Sequence, residues 1–137
     1  MKKTAKILAL LLLAVTTMVS CTKNNSSNDG NQSANLIVGK WKCVNYSETG
    51  GDYDLARVGS IWDFNSEGTL EFDTYYNYSS QVKHLSIAYL ITDKILVMFI
   101  PYETLSLHIS ELSKEKLVLD LGDFQGGFHY EFEKEQE

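Results

Sequence analysis

The residues of this chain best suited to acid–base or metal chemistry are its three histidines, His84, His108 and His129. In the predicted strands, Asp120 lies opposite His129 and Val118 lies opposite His108. These two histidines are then two strands apart and staggered, about 10 Å from strand spacing alone. Because a zinc ion needs its nitrogen ligands within about 2 Å, we expect solvent-exposed histidines and no metal site.

A His–Asp pair can move a proton, but a catalytic site also needs a reacting partner in the same pocket. The sequence predicts no serine, cysteine or second carboxylate placed in a pocket with His129 and Asp120. Glu48, Asp52 and Asp54 lie in a glycine-bearing loop whose spacing does not match a calcium loop. We therefore expect no cofactor, and we expect that the protein is not an enzyme.

Cys43 and a group of tyrosines are weaker candidates for chemistry. Cys43 shares its predicted strand face with Trp41, where a buried thiol behaves as a small apolar group. The sequence places no cation or helix start beside it that would stabilise a thiolate. Tyr75, Tyr76 and Tyr78 cluster at a strand end and could stack on a sugar or contact a protein. We favour the simpler interpretation, a polar hairpin tip with amphipathic rims.

The N-terminal residues have the pattern of an export signal. Residues 1–6 carry three lysines and no acid, and residues 7–15 form an unbroken apolar run. A membrane-spanning helix needs about 20 residues, so this run is typical of a secretory signal instead. Small residues before Cys21 resemble a bacterial lipoprotein processing site. We expect residues 1–20 to be a lipoprotein signal peptide and Cys21 to be lipidated.

The next segment is predicted to connect the lipid to a folded domain. Residues 22–34 contain no large apolar side chain, so they cannot bury enough surface to offset chain entropy. We expect residues 21–35 to be a flexible tether that holds the protein to the membrane of the bacterial cell envelope, the outer membrane in our interpretation. The tract has one acid, Asp29, which leaves periplasmic and surface exposure both open.

Charge and cysteine content narrow the class of partner. Without Lys2, Lys3 and Lys6, nine of the 12 basic residues remain against 18 acidic ones, a net charge of −9. This balance argues against binding nucleic acid or anionic lipid head groups. With Cys21 lipidated, Cys43 has no partner for a disulfide. Residues 36–137 are enough for one domain with a single core.

This domain is predicted to be all-β. Runs with strand alternation are separated by turn residues. The predicted strands are 41–46, 60–64, 69–76, 84–91, 95–100, 104–110, 116–121 and 128–133. An even number of antiparallel strands favours a closed eight-stranded up-and-down barrel, since closure removes the exposed edges of an open sheet. A β-sandwich is the alternative.

Several motifs resemble the small lipocalin-like lipoproteins of Gram-negative bacteria in their order and spacing. They are Gly39-Lys40-Trp41-Lys42, residues 61–69, residues 109–119 and Tyr130-Glu131-Phe132. The resemblance implies a lipocalin or calycin-like barrel in which Gly39 and Trp41 open the first strand and the tryptophan seals the closed end. The chain's single arginine, Arg57, lies in a predicted loop, so the ligand-binding residues of larger lipocalins are not carried over.

We therefore expect a lipid-anchored, extracytoplasmic lipocalin-like protein that binds a small apolar ligand at the barrel mouth. Tyr53 and Leu55, in the long first loop, are the residues expected to cover that mouth. The alternative is a non-enzymatic structural or protein-interaction module in an envelope complex. Large inward side chains predict a filled interior and a shallow site. The predicted inward set is Trp41, Trp62, Phe64, Leu70, Phe72, Ile87, Tyr89, Leu107, Leu119, Phe128, Tyr130 and Phe132.

Overall fold

A computed structural model of the protein describes residues 29–47, 53–121 and 127–137. The described residues form one helix and nine strands. The elements are α1 (Asp29–Ile37), β1 (Gly39–Ser47), β2 (Tyr53–Asp54), β3 (Ile61–Phe64), β4 (Thr69–Tyr76), β5 (Val82–Thr92), β6 (Ile95–Ile100), β7 (Glu103–Leu112), β8 (Lys116–Asp120) and β9 (His129–Lys134). In this described part, no helix is long and apolar enough to cross a membrane.

Eight of the strands close into an antiparallel barrel, as predicted. The neighbour order is β4–β3–β1–β9–β8–β7–β6–β5, and β5 pairs with β4 to complete the ring. The ninth strand, β2, adds two residues to the end of β4, where Tyr53 pairs with Tyr76. We call the end that carries α1 the base, and the end where β4 finishes and β5 begins the mouth.

The alternation of apolar residues located the strands well, and β4 and β6 have the predicted bounds. The sequence analysis missed β2, which pairs through two residues only, too short a run for periodicity to detect. Two strand pairs of the barrel wall contain a bulge. One lies between Cys43 and Asn45 on β1, and the other lies between Ile109 and Glu111 on β7. A bulge changes the partner of every later residue, and this alters the predicted histidine register described below.

The described part of the predicted flexible tether, residues 21–35, is helical instead, because α1 begins at Asp29. Its polar composition gives little intrinsic helix stability, so packing must supply it. Ile37 is fully buried at the base. Cys21 and the other residues before Asp29 lie outside the described residues.

The barrel interior is filled by side chains. Of the twelve residues predicted to point inward, ten are buried, and Tyr89 and Phe128 are partly buried against the core. Trp62 lies at the centre, with ring centroids of Phe72 and Phe132 at 5.1 and 4.9 Å. Rings at this spacing exclude water, so a ligand cannot occupy the middle of the barrel without displacing them.

Trp41 closes the base. Its side chain is fully buried, and its Nε1 donates to the carbonyl of Ile37 at 2.6 Å. The ammonium of Lys134 lies 5.0 Å from the centroid of the same ring and donates to the carbonyl of Leu36. Trp41 therefore joins the last turn of α1 to the first strand and to the end of β9. Gly39 precedes it with φ +124°, a conformation that favours glycine.

Candidate functional site

A hollow of about 400 Å³ opens at the mouth of the barrel, and we call it the mouth pocket. Its volume lies within the range of about 300–1,000 Å³ found for small-molecule sites. It is lined by Thr74, Tyr76, Lys83, Leu85, Ile100, Pro101, Tyr102 and Glu103. These residues come from β4, β5, β6, β7 and the β6–β7 turn.

Strand alternation explains why these residues meet. Thr74 lies two residues after the buried Phe72, and Leu85 lies two residues before the buried Ile87. Ile100 follows the buried Met98 by the same interval. Each is therefore the next inward position above the filled core. The strands extend past the large aromatic rings, so the last inward side chains surround a hollow.

The mouth pocket is apolar on its walls and polar at its rim. Thr74 Oγ1 donates to the backbone carbonyl of Lys83 at 3.2 Å, which satisfies its buried hydroxyl. The charged ends of Lys83 and Glu103 belong to exposed residues. Tyr102 is fully exposed at the rim, with φ +76°. The pocket can therefore take a small apolar molecule and leave polar groups of that molecule in water.

Of the two residues predicted to cover the mouth, the structure describes the side chain of Leu55 and only the backbone of Tyr53. Leu55 is 3% exposed and packs in the core, where its carbonyl accepts a hydrogen bond from Trp62 Nε1 at 3.2 Å. It does not line the mouth pocket. The backbone of Tyr53 pairs with Tyr76 at the end of β4, and its side chain lies outside the described part of the chain.

Arg57 fixes the segment that contains Leu55. Its Nε contacts Asp54 Oδ2 at 2.7 Å, and its guanidinium lies 4.9 Å from the centroid of Tyr75. A further hydrogen bond joins Arg57 to Asn77. The hydrogen bond to Asp54 raises the pKa of Arg57 further. These contacts hold the end of the first connection against β4 and leave the β5–β7 side of the mouth open.

A larger hollow, about 610 Å³, lies at the base. It is lined by Val38, Gly39 and Lys40 together with the C-terminal residues 134–137. It is a groove between the two ends of the described domain, and five of its seven lining residues are polar or charged. We consider the mouth pocket the better candidate because four barrel strands surround it.

A polar cluster occupies the outer surface of β7, β8 and β9. Asp120 accepts a short hydrogen bond from the Ser110 hydroxyl and lies 2.5 Å from His129 Nδ1. His129 Nε2 lies 3.1 Å from Glu131. The predicted pairing of Asp120 with His129 is confirmed. A serine and a second carboxylate thus join this pair, which the sequence analysis did not expect.

The predicted pairing of His108 with Val118 is wrong. The bulge between Ile109 and Glu111 places His108 opposite Asp120 instead. The three histidines are outward, as predicted, and no group of three or more possible metal ligands is found among the described residues. The Ser110 hydroxyl donates to Asp120 and also lies 3.3 Å from His108 Nδ1, and the cluster lines neither of the pockets above. Its arrangement therefore supports an electrostatic role.

Mutual contacts shift the pKa values of this cluster. Hydrogen bonds to Asp120 and then Glu131 raise the pKa of His129. Partial burial acts to raise the pKa of Asp120, but hydrogen bonds from Ser110 and His129 outweigh it, so this pKa is lowered. Hydrogen bonds from His129 and Asn45 lower the pKa of Glu131. Each shift favours the charged form of its group in the folded state.

These directions predict a pH-dependent stability. The contribution of His129 is complete below its ordinary pKa of 6.5 and is lost as pH rises through its raised folded value. The contributions of Asp120 and Glu131 are present above their ordinary values of 3.8 and 4.5 and are lost as pH falls. We expect His129→Gln to lower the melting temperature most near about pH 5.5, between these ranges.

Thermal unfolding of both proteins from pH 4 to pH 9 measures this effect. The matched control is His84→Gln on β5, where the exposed His84 faces Asp73 at 2.9 Å. A loss of stability in His129→Gln that is as large at about pH 9 as at about pH 5.5 would contradict the assignment.

The remaining described candidate residues make packing or surface contacts and line no pocket described above, apart from Tyr76 in the mouth pocket. Cys43 is buried and forms no disulfide with any described residue, and its thiol contacts the carbonyl of Asn45 at 3.5 Å. Burial raises the pKa of Tyr75, whose ring packs on Arg57, while Tyr78 is exposed in the β4–β5 hairpin. Glu48 and Asp52 lie outside the described residues. Lys116 pairs in register with Glu133, and its ammonium contacts Glu111 and Glu131.

The chain is similar to a known protein family and to solved structures. The family model described as a lipocalin-like domain matches residues 37–119. No curated protein sequence matches the chain. A solved lipocalin-like protein from Bacteroides uniformis has a TM-score of 0.50 and 13% identity, covering 72% of this chain and 98% of that one. A triple mutant of bovine odorant binding protein has a TM-score of 0.48 and 19% identity, covering 72% of this chain and 74% of that one.

Proposed function

Because this chain belongs to the lipocalin-like domain family, we propose that it binds a small apolar ligand in the mouth pocket. The observation that carries this proposal is the hollow of about 400 Å³ directly above a filled core. The walls supply apolar contact through Leu85, Ile100 and Pro101, and the exposed ring of Tyr102 offers a further aromatic surface. No step of a chemical reaction is required of these groups, so the proposed role is binding.

The filled core limits the length of the ligand. Leu107 and Phe72 are buried below the mouth pocket, and native packing leaves little room between such residues. A molecule with a long acyl chain would have to displace them. We therefore propose a compact apolar or aromatic ligand, and we expect long-chain fatty acids to bind weakly.

The test is a titration with a small fluorescent apolar probe. We expect Ile100→Trp, which fills the mouth pocket, to weaken binding about tenfold or more, equivalent to about 1.4 kcal/mol. Val58→Trp is the matched control, because Val58 is 65% exposed and lies outside this pocket. Equal affinities of the two variants would exclude the mouth pocket. Tight one-to-one binding of a long fatty acid, abolished by a bulky substitution at Leu107, would show that the interior opens instead.

We further propose that the protein is lipidated at Cys21 and held in the bacterial cell envelope, outside the cytoplasm. Residues 1–20 support this through their lysines, apolar run and small residues before the cysteine. In this proposal the tether comprises the residues between Cys21 and Asp29, where α1 begins. Several acyl chains on one residue hold a protein stably at a membrane, and in this proposal that membrane is the outer membrane.

Replacement of the lipidation site tests the anchor. We expect Cys21→Ala to move the protein from the membrane fraction to the soluble fraction, or to leave it as the unprocessed precursor. Fractionation followed by mass measurement of the intact chain distinguishes these forms, and Cys43→Ala serves as the control cysteine. A Cys21→Ala protein that remains membrane-bound at its mature mass would contradict lipid anchoring.

The filled interior also favours a second function, a non-enzymatic structural or protein-interaction module in an envelope complex. In that case the outer surface would carry the activity, and Ile100→Trp would leave it unchanged. Cross-linking in intact cells separates the two functions. A partner recovered equally by the parent chain and by Ile100→Trp, in a protein that binds no small probe, would favour the module.

A further inference from the structure

The outer surface of β5, β6 and β7 carries an apolar face without charged residues, which we call the outer β5–β7 face. Cross-strand pairing places its members in rows, with Leu90 beside Val97 and Val97 beside Ser106. Leu90, Ile95 and Phe99 are each 40–42% exposed. The face consists of Leu90, Thr92, Ile95, Val97, Phe99, Thr104, Ser106 and His108.

The other barrel strands present charge on their outer surfaces, as does the end of β7 at Glu111. Described outward charges are Lys40 and Lys42 on β1, Asp63 on β3, Glu71 and Asp73 on β4, Lys116 and Asp120 on β8, and Glu131 and Glu133 on β9. The outer β5–β7 face contains none of Asp, Glu, Lys and Arg among its described residues. The face is therefore distinct in a chain whose 18 acids outnumber its 12 bases.

This contrast bears on which surfaces the face can meet. The net negative charge of the domain opposes approach to an anionic lipid surface as a whole. Charge repulsion is local, however, and is screened beyond about 8–10 Å at ordinary ionic strength. The centre of this side lacks carboxylates, and Asp93 and Glu111 lie only at its ends. Its apolar residues and hydroxyls can therefore approach such a surface at less cost than the acid-bearing strands.

The size of the face argues against a stable dimer. Three strands about 4.8 Å apart and five residues along β6 cover on the order of 200 Å². A specific protein–protein interface buries about 800 Å² on each partner. A patch of this size cannot hold the protein on a surface by itself. The proposed lipid at Cys21 would supply the additional attachment.

The path of the chain brings the face near that attachment. Helix α1 contacts β5 and β7, the strands on either side of β6. The eight residues from Cys21 to Asp29 reach at most about 29 Å when extended. A chain attached at Cys21 therefore keeps the start of α1 within about 29 Å of the bilayer, and α1 packs beside β5 and β7.

We propose that the outer β5–β7 face rests on the phospholipid surface of the membrane that holds the chain. The occupant is the lipid head-group and acyl boundary, where apolar side chains insert by about 5–10 Å. The inference extends the proposed lipid anchoring and is independent of ligand binding at the mouth pocket. It gives the anchored barrel a defined orientation, with β6 toward the bilayer and β1 away from it, because β1 lies four positions from β6 in the ring of eight.

Tryptophan depth quenching tests the orientation in the full chain on phosphatidylethanolamine–phosphatidylglycerol vesicles. Trp41 and Trp62 are fully buried, so the parent chain gives the background emission. Phe99→Trp and Leu90→Trp place a reporter on the face. Val58→Trp is the matched control, because its loop is joined to β1 through the hydrogen bond from Gly59 N to the Cys43 carbonyl.

We expect brominated lipids to quench the added emission of Phe99→Trp and Leu90→Trp, with a shift to shorter wavelength, and to leave Val58→Trp unchanged. Equal quenching at positions 58 and 99 would overturn the proposal. So would shielding at position 99 that depends on protein density and not on brominated lipid, since a second copy would then cover the face. Intact mass reports lipidation separately. A chain without lipid would contradict the anchor and with it the orientation, whereas a lipidated chain with equal quenching at positions 58 and 99 would contradict the orientation alone.

Discussion

Trp41→Ala is expected to lower the free energy of unfolding by about 3–5 kcal/mol, the range for deletion of a large buried aromatic side chain. The ring is fully buried at the base. Its removal leaves a cavity and breaks the 2.6 Å hydrogen bond to the Ile37 carbonyl. The same change removes the surface on which the Lys134 ammonium lies. Chemical denaturation followed by circular dichroism measures the loss.

Two controls separate packing from other effects. Trp41→Phe keeps most of the volume but loses the hydrogen bond, so its loss should be smaller than that of Trp41→Ala. Lys116→Ala removes ion pairs with Glu111 and Glu131 at 3.6 and 3.7 Å, and the three side chains are partly exposed to solvent. Its effect should stay under about 1 kcal/mol. Comparable losses for Trp41→Ala and Lys116→Ala would show that Trp41 does not support the core.

Gly39→Ala is expected to destabilise the barrel by about 1–3 kcal/mol through backbone strain. Gly39 has φ +124°, where a residue with a Cβ is unfavourable. A Cβ there would also meet Lys134 Cε at 2.9 Å. Because that atom is the end of a flexible side chain, it can move, so we attribute most of the loss to φ. Thermal and denaturant unfolding provide the measurement.

Gly59→Ala is the matched control for this assignment. Gly59 also has positive φ, +93°, but a Cβ there meets nothing within 4 Å. Similar losses at both positions would attribute the effect to the backbone. A large loss for Gly39→Ala that disappears in a Lys134→Ala background would contradict this assignment and identify the steric contact as the cause.

The sequence predicted the barrel because its physical signal is repeated along the chain. In β4, β6 and β9, apolar and polar residues alternate or the run is apolar throughout, and turn residues separate the strands. The inward positions follow directly, so residues such as Phe72 and Phe132 were assigned to the core correctly. The family motif at Gly39 and Trp41 added the direction of the first strand.

The features that the sequence did not predict depend on tertiary contacts. The polar helix α1 depends on packing at the base, and β2 depends on the edge of β4 and on the Arg57–Asp54 pair. The β7 bulge shifts the partner of His108 by local geometry that has no clear residue signature. A shallow site at the mouth was predicted, but its lining residues were missed because they are the inward positions beyond the core. Extending the alternation by two residues from Phe72, Ile87 and Met98 would have found its walls.

The closing pair of strands has a consequence for how the chain folds. Asn45 of β1 contacts Glu131 of β9 across 86 residues of sequence. Most other strand pairs join strands that follow each other closely in the sequence. Contacts between residues so far apart slow folding, because a long loop must close before they form. Until β9 has been made, β1 and β8 each keep one unpaired edge, the kind of surface that recruits other chains. A chain that ends before His129 would keep both edges open, so the last strand protects the barrel from aggregation during synthesis.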